Sequence, residues 1–257
     1  MEKVLKLKNK KIDVLDKGSV EFIDRMGDDL RICEAARVST GAEADKGPKA
    51  NEKLIEYLYK NDHLTPFEQV TMTFKIKCPI FVARQWMRSR TQSYNEASAR
   101  YKEFEWECYM PNEWRMQDTK NKQGSLDVKQ KFYTYDINQA IDIAYNESKE
   151  CYENALDQGV AREQARTVMP VGQYTEFFMT VNLRNLFHFL ELRMHDHAQY
   201  EIQVYANTIN SILSEIEELK FSWKIFDNMR EVKYLVQEAV SKYKNLDLLK
   251  DYLGKFQ

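Results

Sequence analysis

The clearest pattern in the chain is an alternation: Val70, Met72, Phe74, Ile76 and Cys78 are apolar and the residues between them are polar or weakly apolar. Successive side chains of a strand point to opposite faces, so five repeats at period two predict a half-buried strand. Pro79 follows and suits the first turn of a helix, where its missing N–H costs nothing, and Ile80 to Arg88 continue that helix. Arg84 and Arg88 then share one face. Upstream, within residues 3–24, the runs KIDVLD and SVEFID flank Lys17 and Gly18 and predict a hairpin. Asp28 or Asp29 caps a helix running through Val38, residues 40–51 read as a surface loop, and Asn51 caps a short helix, KLIEYLYKN. Downstream, Phe104, Trp106 and Cys108 alternate as a second strand, and residues 111–127 read as an irregular rim. Ile137, Ile141, Ala144, Cys151 and Ala155 form a helical stripe read as core packing and ended by Gly159. Ala161 to Val168 forms a short helix with Arg162 and Arg166 on one face, Gln173 to Val181 another strand, and Asn182 to Arg193 another helix. Asp196 and Gln199 resemble a capping box that restarts a helix, whose Ala198, Ile202, Tyr205, Ile209, Ile212 and Ile216 make an amphipathic stripe. Peripheral helices are expected after Phe221.

This order of elements predicts an α+β fold, an antiparallel sheet with clustered helices, in one domain spanning residues 1–257. The chain has 257 residues, 30% of them charged, and a net charge of −2, so no global field draws it to nucleic acid or membrane. No run approaches the roughly 18 apolar residues of a spanning helix. A cytoplasmic location is the default expectation. Cys33, Cys78, Cys108 and Cys151 are widely spaced, which suggests neither a disulfide framework nor a zinc site.

Against that neutral background one stretch stands out, Arg84 to Tyr101, RQWMRSRTQSYNEASARY. Arg84, Arg88, Arg90 and Arg100 face one acid, Glu96. Guanidinium groups match phosphate oxygens, and the small or polar Ser93, Asn95, Ala97, Ser98 and Ala99 let a ligand approach backbone N–H groups. The plain alternative is a solvated arginine face.

The order Arg88, Ser89, Arg90, then Ser98, Ala99, Arg100 and Tyr101 resembles the R-H-R-x7-S signature of the flavin-dependent thymidylate synthases, with Ser89 in place of the histidine. The similarity extends from about Lys11 to about Phe226, through AARVS at Ala35–Ser39, HLTPFEQ at His63–Gln69, PIFVARQW at Pro79–Trp86 and LRMHDHAQYEIQ at Leu192–Gln203. The resemblance implies methylation of dUMP to dTMP, with methylenetetrahydrofolate as carbon donor, FAD as bound cofactor and NADPH as reductant. It also implies a homotetramer whose active sites are shared between subunits. On it, dUMP meets Gln85, Trp86, Met87, Arg88, Glu96, Ala97, Ser98, Ala99, Arg100, Arg166 and Arg193. FAD meets Ser39, His63, Thr65, Arg88, Ser89, Arg90, Glu96, Asn182, Leu183, Arg184 and His188. Arg193 is the catalytic residue, a fixed cation stabilising the enolate-like charge that develops on the uracil.

Three histidines, His188, His195 and His197, lie close in sequence, but there is no H-E-x-x-H and no metal is expected. Three other readings stay open. The same chemistry on UMP or another uracil nucleotide is one. A thiol-dependent synthase would need an activated cysteine, and no Pro-Cys-His motif exists. A non-catalytic nucleotide- or RNA-binding module would use the arginines without flavin.

Overall fold

The computed structural model describes residues 8–43, 45–119, 122, 124–126 and 134–242. The hairpin forms between β1 (Lys11–Val14) and β2 (Gly18–Met26). Gly18 is required there, because a Cβ would lie 1.9 Å from the Tyr205 hydroxyl, which donates to the Lys77 carbonyl. Helix α1 (Asp29–Val38) is capped by Asp28, whose side chain accepts from Arg31 N. Helix α2 (Pro48–Lys60) begins earlier than expected, since Gly47 takes a φ of 85° and Pro48 opens the first turn. Asn51 is therefore inside it, buried, accepting from Arg37 at 2.8 Å and donating to Asp45 at 2.9 Å. A 3-10 turn, Thr65–Gln69, leads to β3 (Thr71–Pro79), the alternating strand, whose Met72, Phe74, Ile76 and Cys78 are fully buried.

Helix α3 (Ile80–Trp86) ends at Trp86, short of Arg88, and the next strand is β4 (Ser93–Glu96), inside the arginine-rich stretch. The strand expected at 104–108 does not form; Cys108 makes a single bridge to Gln173. The reason is competition: β4 holds the edge of β7 (Tyr174–Asn182), while Gln173 and Tyr174 draw the Glu105 and Glu107 carbonyls into isolated hydrogen bonds. The rim contains one small ladder, β5 (Met116–Gln117) with β6 (Ser125–Leu126). The main sheet runs β1-β2-β3-β7-β4, antiparallel throughout.

Helix α4 (Thr134–Asp157) corrects a second expectation, because its stripe is not core: Ala144 and Cys151 are exposed, and Ile137, Ile141 and Ala155 only half-buried. Small residues in the stripe offer little apolar area, and the helix is anchored instead by buried Tyr152, its ring 5.8 Å from Trp106. Helix α5 (Arg162–Ala165) tightens into a 3-10 turn at Arg166, so the two arginines part: Arg162 pairs with Glu103 at 3.2 Å and Arg166 turns to a cleft.

Helices α6 (Leu183–Arg193) and α7 (Tyr200–Ser214) cover the apolar face of the sheet. The expected capping box is absent. Asp196 accepts from the Tyr234 hydroxyl, Gln199 donates to Glu201 at 2.8 Å, and α7 starts without a side-chain cap. Helix α8 (Lys220–Lys242) is not peripheral throughout, since Phe226 is fully buried and stacks on Phe187 at 4.3 Å. Expectations for residues 3–7 and for the chain after 242 lie outside the described residues.

Asp29 of α1 docks α8: its carboxylate accepts from Phe221 N at 2.7 Å and Ser222 N at 3.2 Å. Burial pushes this carboxyl up to about 6, although the two N–H groups favour the charged form. The folded state thus binds the proton more tightly than the unfolded chain, so this site's contribution to stability is full below about pH 4 and is lost as pH rises through about 6. Asp29→Ala is expected to lose about 1–2 kcal/mol, as for a lost helix cap, and Asp29→Asn less, since a neutral side chain keeps an acceptor. Urea melts at pH 7 decide this; equal losses for Ala and Asn would reject the capping role.

Candidate active site

Strands β3 and β7 are antiparallel neighbours, with Thr71 opposite Asn182 and Pro79 opposite Tyr174, and each runs directly into a helix. Helix α3 therefore leaves one end of the sheet and α6 the other. Pro79 opens α3, and Asn182 caps α6 by accepting from Asn185 N at 3.0 Å. The helices meet where Trp86 of α3 stacks on Phe189 of α6, 5.0 Å between centroids, with Phe177 and Tyr205 edge-on. Trp86 is fully buried, and its Nε1 donates to the Met179 sulfur. Trp86 and Leu183, both buried, thus reach a ligand through backbone only, and Met87 packs against the same core.

The polar residues sort into neighbouring clefts. One, of about 730 Å³, is lined by Arg84, the run Glu96–Arg100, Arg166 and Thr175. Glu96 accepts from the Thr175 hydroxyl at 2.7 Å, and Arg100 N donates to the Ser98 hydroxyl oxygen at 3.3 Å. Thr175 went unnoticed in the sequence, where it is one polar residue in a strand; only the pairing of β4 with β7, which sets Glu96 opposite Phe177, brings it to Glu96. Among the described residues the guanidinium groups of Arg84, Arg88 and Arg90 make no ion pair or hydrogen bond. That is an unneutralised cationic patch beside a small-residue loop, the composition of a phosphate site.

A second cleft, of about 580 Å³, is lined by His188, Glu191, Arg193, Met194 to Ala198, and Arg230, Lys233 and Tyr234 of α8. A third, of about 330 Å³, adjoins it through His188, Glu191 and Lys233 and includes Arg184, Lys60 and Asp62. Arg184 pairs with Glu68, which ties α6 to the turn carrying Thr65. Arg193 Nε is buried without a partner. Burial holds the Arg193 pKa below its usual range, and the neighbouring Arg88 adds to the effect. An unpaired, repelled guanidinium fits an electron-rich ligand. Gln85 Oε1 is likewise buried and unpartnered.

The remaining expected contacts are scattered along the surface of one chain. Ser39 caps α1 and donates to the Ala36 carbonyl, His63 lies edge-on to Tyr57 at 6.0 Å, and Thr65 is exposed. Ser89 sits in the turn between α3 and β4, half-buried. His195 and His197 stack on each other at 4.8 Å, and among the described residues no group of His, Cys, Asp and Glu converges as a metal ligand set. Burial pushes Cys33 and Cys108 up to about 11 and raises the Cys78 thiol well above its usual value, the opposite of an activated thiol.

Fold and clefts together define an α+β protein with arginine-lined clefts whose chemistry suits a phosphorylated, electron-rich ligand. A family model described as Thymidylate synthase complementing protein matches residues 21–217. The chain is 45% identical over 202 residues to the flavin-dependent thymidylate synthase of Thermosipho africanus, covering 79% of this chain and 88% of that one. It is 44% identical over 220 residues to the flavin-dependent thymidylate synthase of Thermus thermophilus, covering 84% and 78%. Among solved structures it resembles a UMP/dUMP methylase, PolB from Streptomyces cacaoi, bound with 5-Br dUMP: TM-score 0.74, 33% identity, 84% of this chain and 97% of that one. The same methylase bound with 5-Br UMP gives TM-score 0.74 at 32% identity. The chain belongs to the flavin-dependent thymidylate synthase family.

Proposed function

We propose that this chain methylates dUMP to dTMP at a site completed by a second subunit, within a homotetramer. The observation that carries the reading is the division of the polar residues: Glu96 to Arg100 and Arg166 line one cleft, and Arg193 lines another. Each cleft alone holds part of the set, and a partner subunit would bring its Arg193 to the nucleotide of the first. The hydrophobic core extends from Val14 to Phe226, which supports one domain. Among the described residues no helix is long and apolar enough to cross a membrane, and a cytoplasmic setting suits the soluble substrates.

FAD fits the residues present, since Arg88, Arg90, Arg184 and His188 present cationic and donor groups around the second and third clefts and the turn that ends α3. When bound and reduced by NADPH, it supplies the hydride that converts the one-carbon unit from methylenetetrahydrofolate to a methyl group. The protein's part is binding and polarisation. Arg84, Arg100 and Arg166 hold the phosphate with the Ser98 hydroxyl; Gln85 Oε1 accepts from the uracil N3–H; Arg193 donates to the ring oxygen on which negative charge grows. Ser89 keeps a donor where a longer imidazole is usual in the family, and it costs some contact with FAD.

A turnover assay with NADPH and methylenetetrahydrofolate, comparing dUMP and UMP, tests this reading. The yellow protein is expected to form dTMP and to prefer dUMP. Faster methylation of UMP would move the substrate to ribonucleotides; a colourless protein binding RNA in a salt-sensitive way would reject the enzyme.

A further inference from the structure

The turn that joins α3 to β4 carries Arg88, Ser89 and Arg90, and its two ends are fixed by Trp86 in the core and by β4 on the sheet. Arg88 lies close enough to Arg193 for the two charges to oppose each other. Arg88 is exposed and Arg193 half-buried, so where the turn holds Arg88 depends on the contacts that fix its backbone. Three acceptors converge on one group there: the Tyr94 hydroxyl lies 3.2 Å from the Trp86 carbonyl, 3.1 Å from the Ser89 carbonyl and 2.8 Å from Gln92 Oε1.

A phenol has one proton and cannot serve three acceptors. Gln92 is only 8% exposed, and its Nε2 is buried without a partner. Turning the amide relieves the first problem and exchanges an unpartnered buried donor for an unpartnered acceptor, and an amide's nitrogen and oxygen are told apart by the bonds they make. The nitrogen then donates to the Tyr94 oxygen, and the phenol proton is free for a main-chain carbonyl of the turn. The Tyr94 ring is itself fixed, edge-on to Phe177 at 5.8 Å, and burial raises its pKa well above the usual phenol value, so the proton is retained.

We infer that Tyr94 is a positioning residue for the arginine turn, its hydroxyl accepting from Gln92 and donating to the Ser89 carbonyl, so that Arg88 and Arg90 face the flavin and nucleotide. The inference rests on the flavin reading proposed above.

The test measures FAD dissociation from the holoenzyme by the rise of free-flavin fluorescence on dilution, with thermal midpoints taken in excess FAD. Loss of one hydrogen bond in Tyr94→Phe is expected to weaken FAD about fivefold. Gln92→Glu is expected to do the same, because a carboxylate only accepts and takes the phenol proton away from Ser89. The double variant then shows about the same fivefold loss, since both changes break one tether. Losses that multiply in the double variant, an unchanged FAD constant in either single variant, or a lowered midpoint with unchanged FAD affinity would each overturn the inference. Should Tyr94→Phe fail to fold, Gln92→Glu alone still decides, because unchanged affinity there overturns it. Wild-type protein that never binds FAD refutes the flavin reading instead, and is seen before any variant is made.

Discussion

An Arg193→Ala protein is expected to keep its flavin and to lose roughly 100- to 1,000-fold in turnover, the usual effect of removing one preorganised group that meets developing charge. The structure gives the reason this arginine is suited to that task. Its Nε is buried without a partner, and no acid neutralises it among the described residues, while Arg88 opposes its charge. Interaction withheld in the free protein is realised on a ligand whose charge grows during reaction. Because Arg193 and Arg100 line different clefts, the same variant also tests the shared site. Equal amounts of Arg193→Ala and Arg100→Ala subunits, unfolded and refolded together, are expected to rebuild roughly one quarter of the sites by random pairing in a symmetric oligomer. Turnover by Arg193→Ala within a few-fold of wild type would remove Arg193 from the chemistry. No recovery on mixing would place each site within one chain.

Much of the fold was legible where periodicity was strong. The alternation of β3 and the stripe of α7 each bury one face in the same core, so pattern and packing agree. The arginine stretch was legible by its concentration of charge and the Thr65–Gln69 turn by resemblance, neither by period. What stayed hidden has a common cause: contacts between segments remote in sequence. Strand β4 is only Ser93–Glu96, with Tyr94 its one large apolar residue, and it exists because β7 has an edge to fill. Nothing in the sequence showed that Lys233 and Tyr234 of α8 would brace Glu191 and Asp196 on either side of Arg193. Asn51 reads as a helix cap, yet it is a buried link between Arg37 and Asp45. The clefts were legible as residue types and illegible as partition, because within one chain α3 and α6 leave opposite ends of the sheet.

Trp86 shows how a motif residue can matter through a side chain that is buried in the core. It lies between Gln85 and Met87 in a stretch assigned to the nucleotide, but its ring is the pillar between α3 and α6, enclosed by Phe189, Phe177 and Tyr205. Trp86→Ala is therefore expected to cost about 3–5 kcal/mol in stability through the cavity it leaves. For a chain of this size that corresponds to roughly 10 °C in the melting midpoint. Trp86→Phe restores much of the volume and loses only the indole N–H bond to Met179, so it is expected to recover most of the stability. Affinity for dUMP, measured on the folded fraction at low temperature, is expected to follow the same order, because Gln85 and Arg88 are carried by the helix end that Trp86 anchors. Thermal melts and equilibrium dUMP titration on both variants check this. If Trp86→Ala melts within 2–3 °C of wild type, a shift worth only about 1 kcal/mol, and yet fails to bind dUMP, the indole belongs to the ligand rather than to the core.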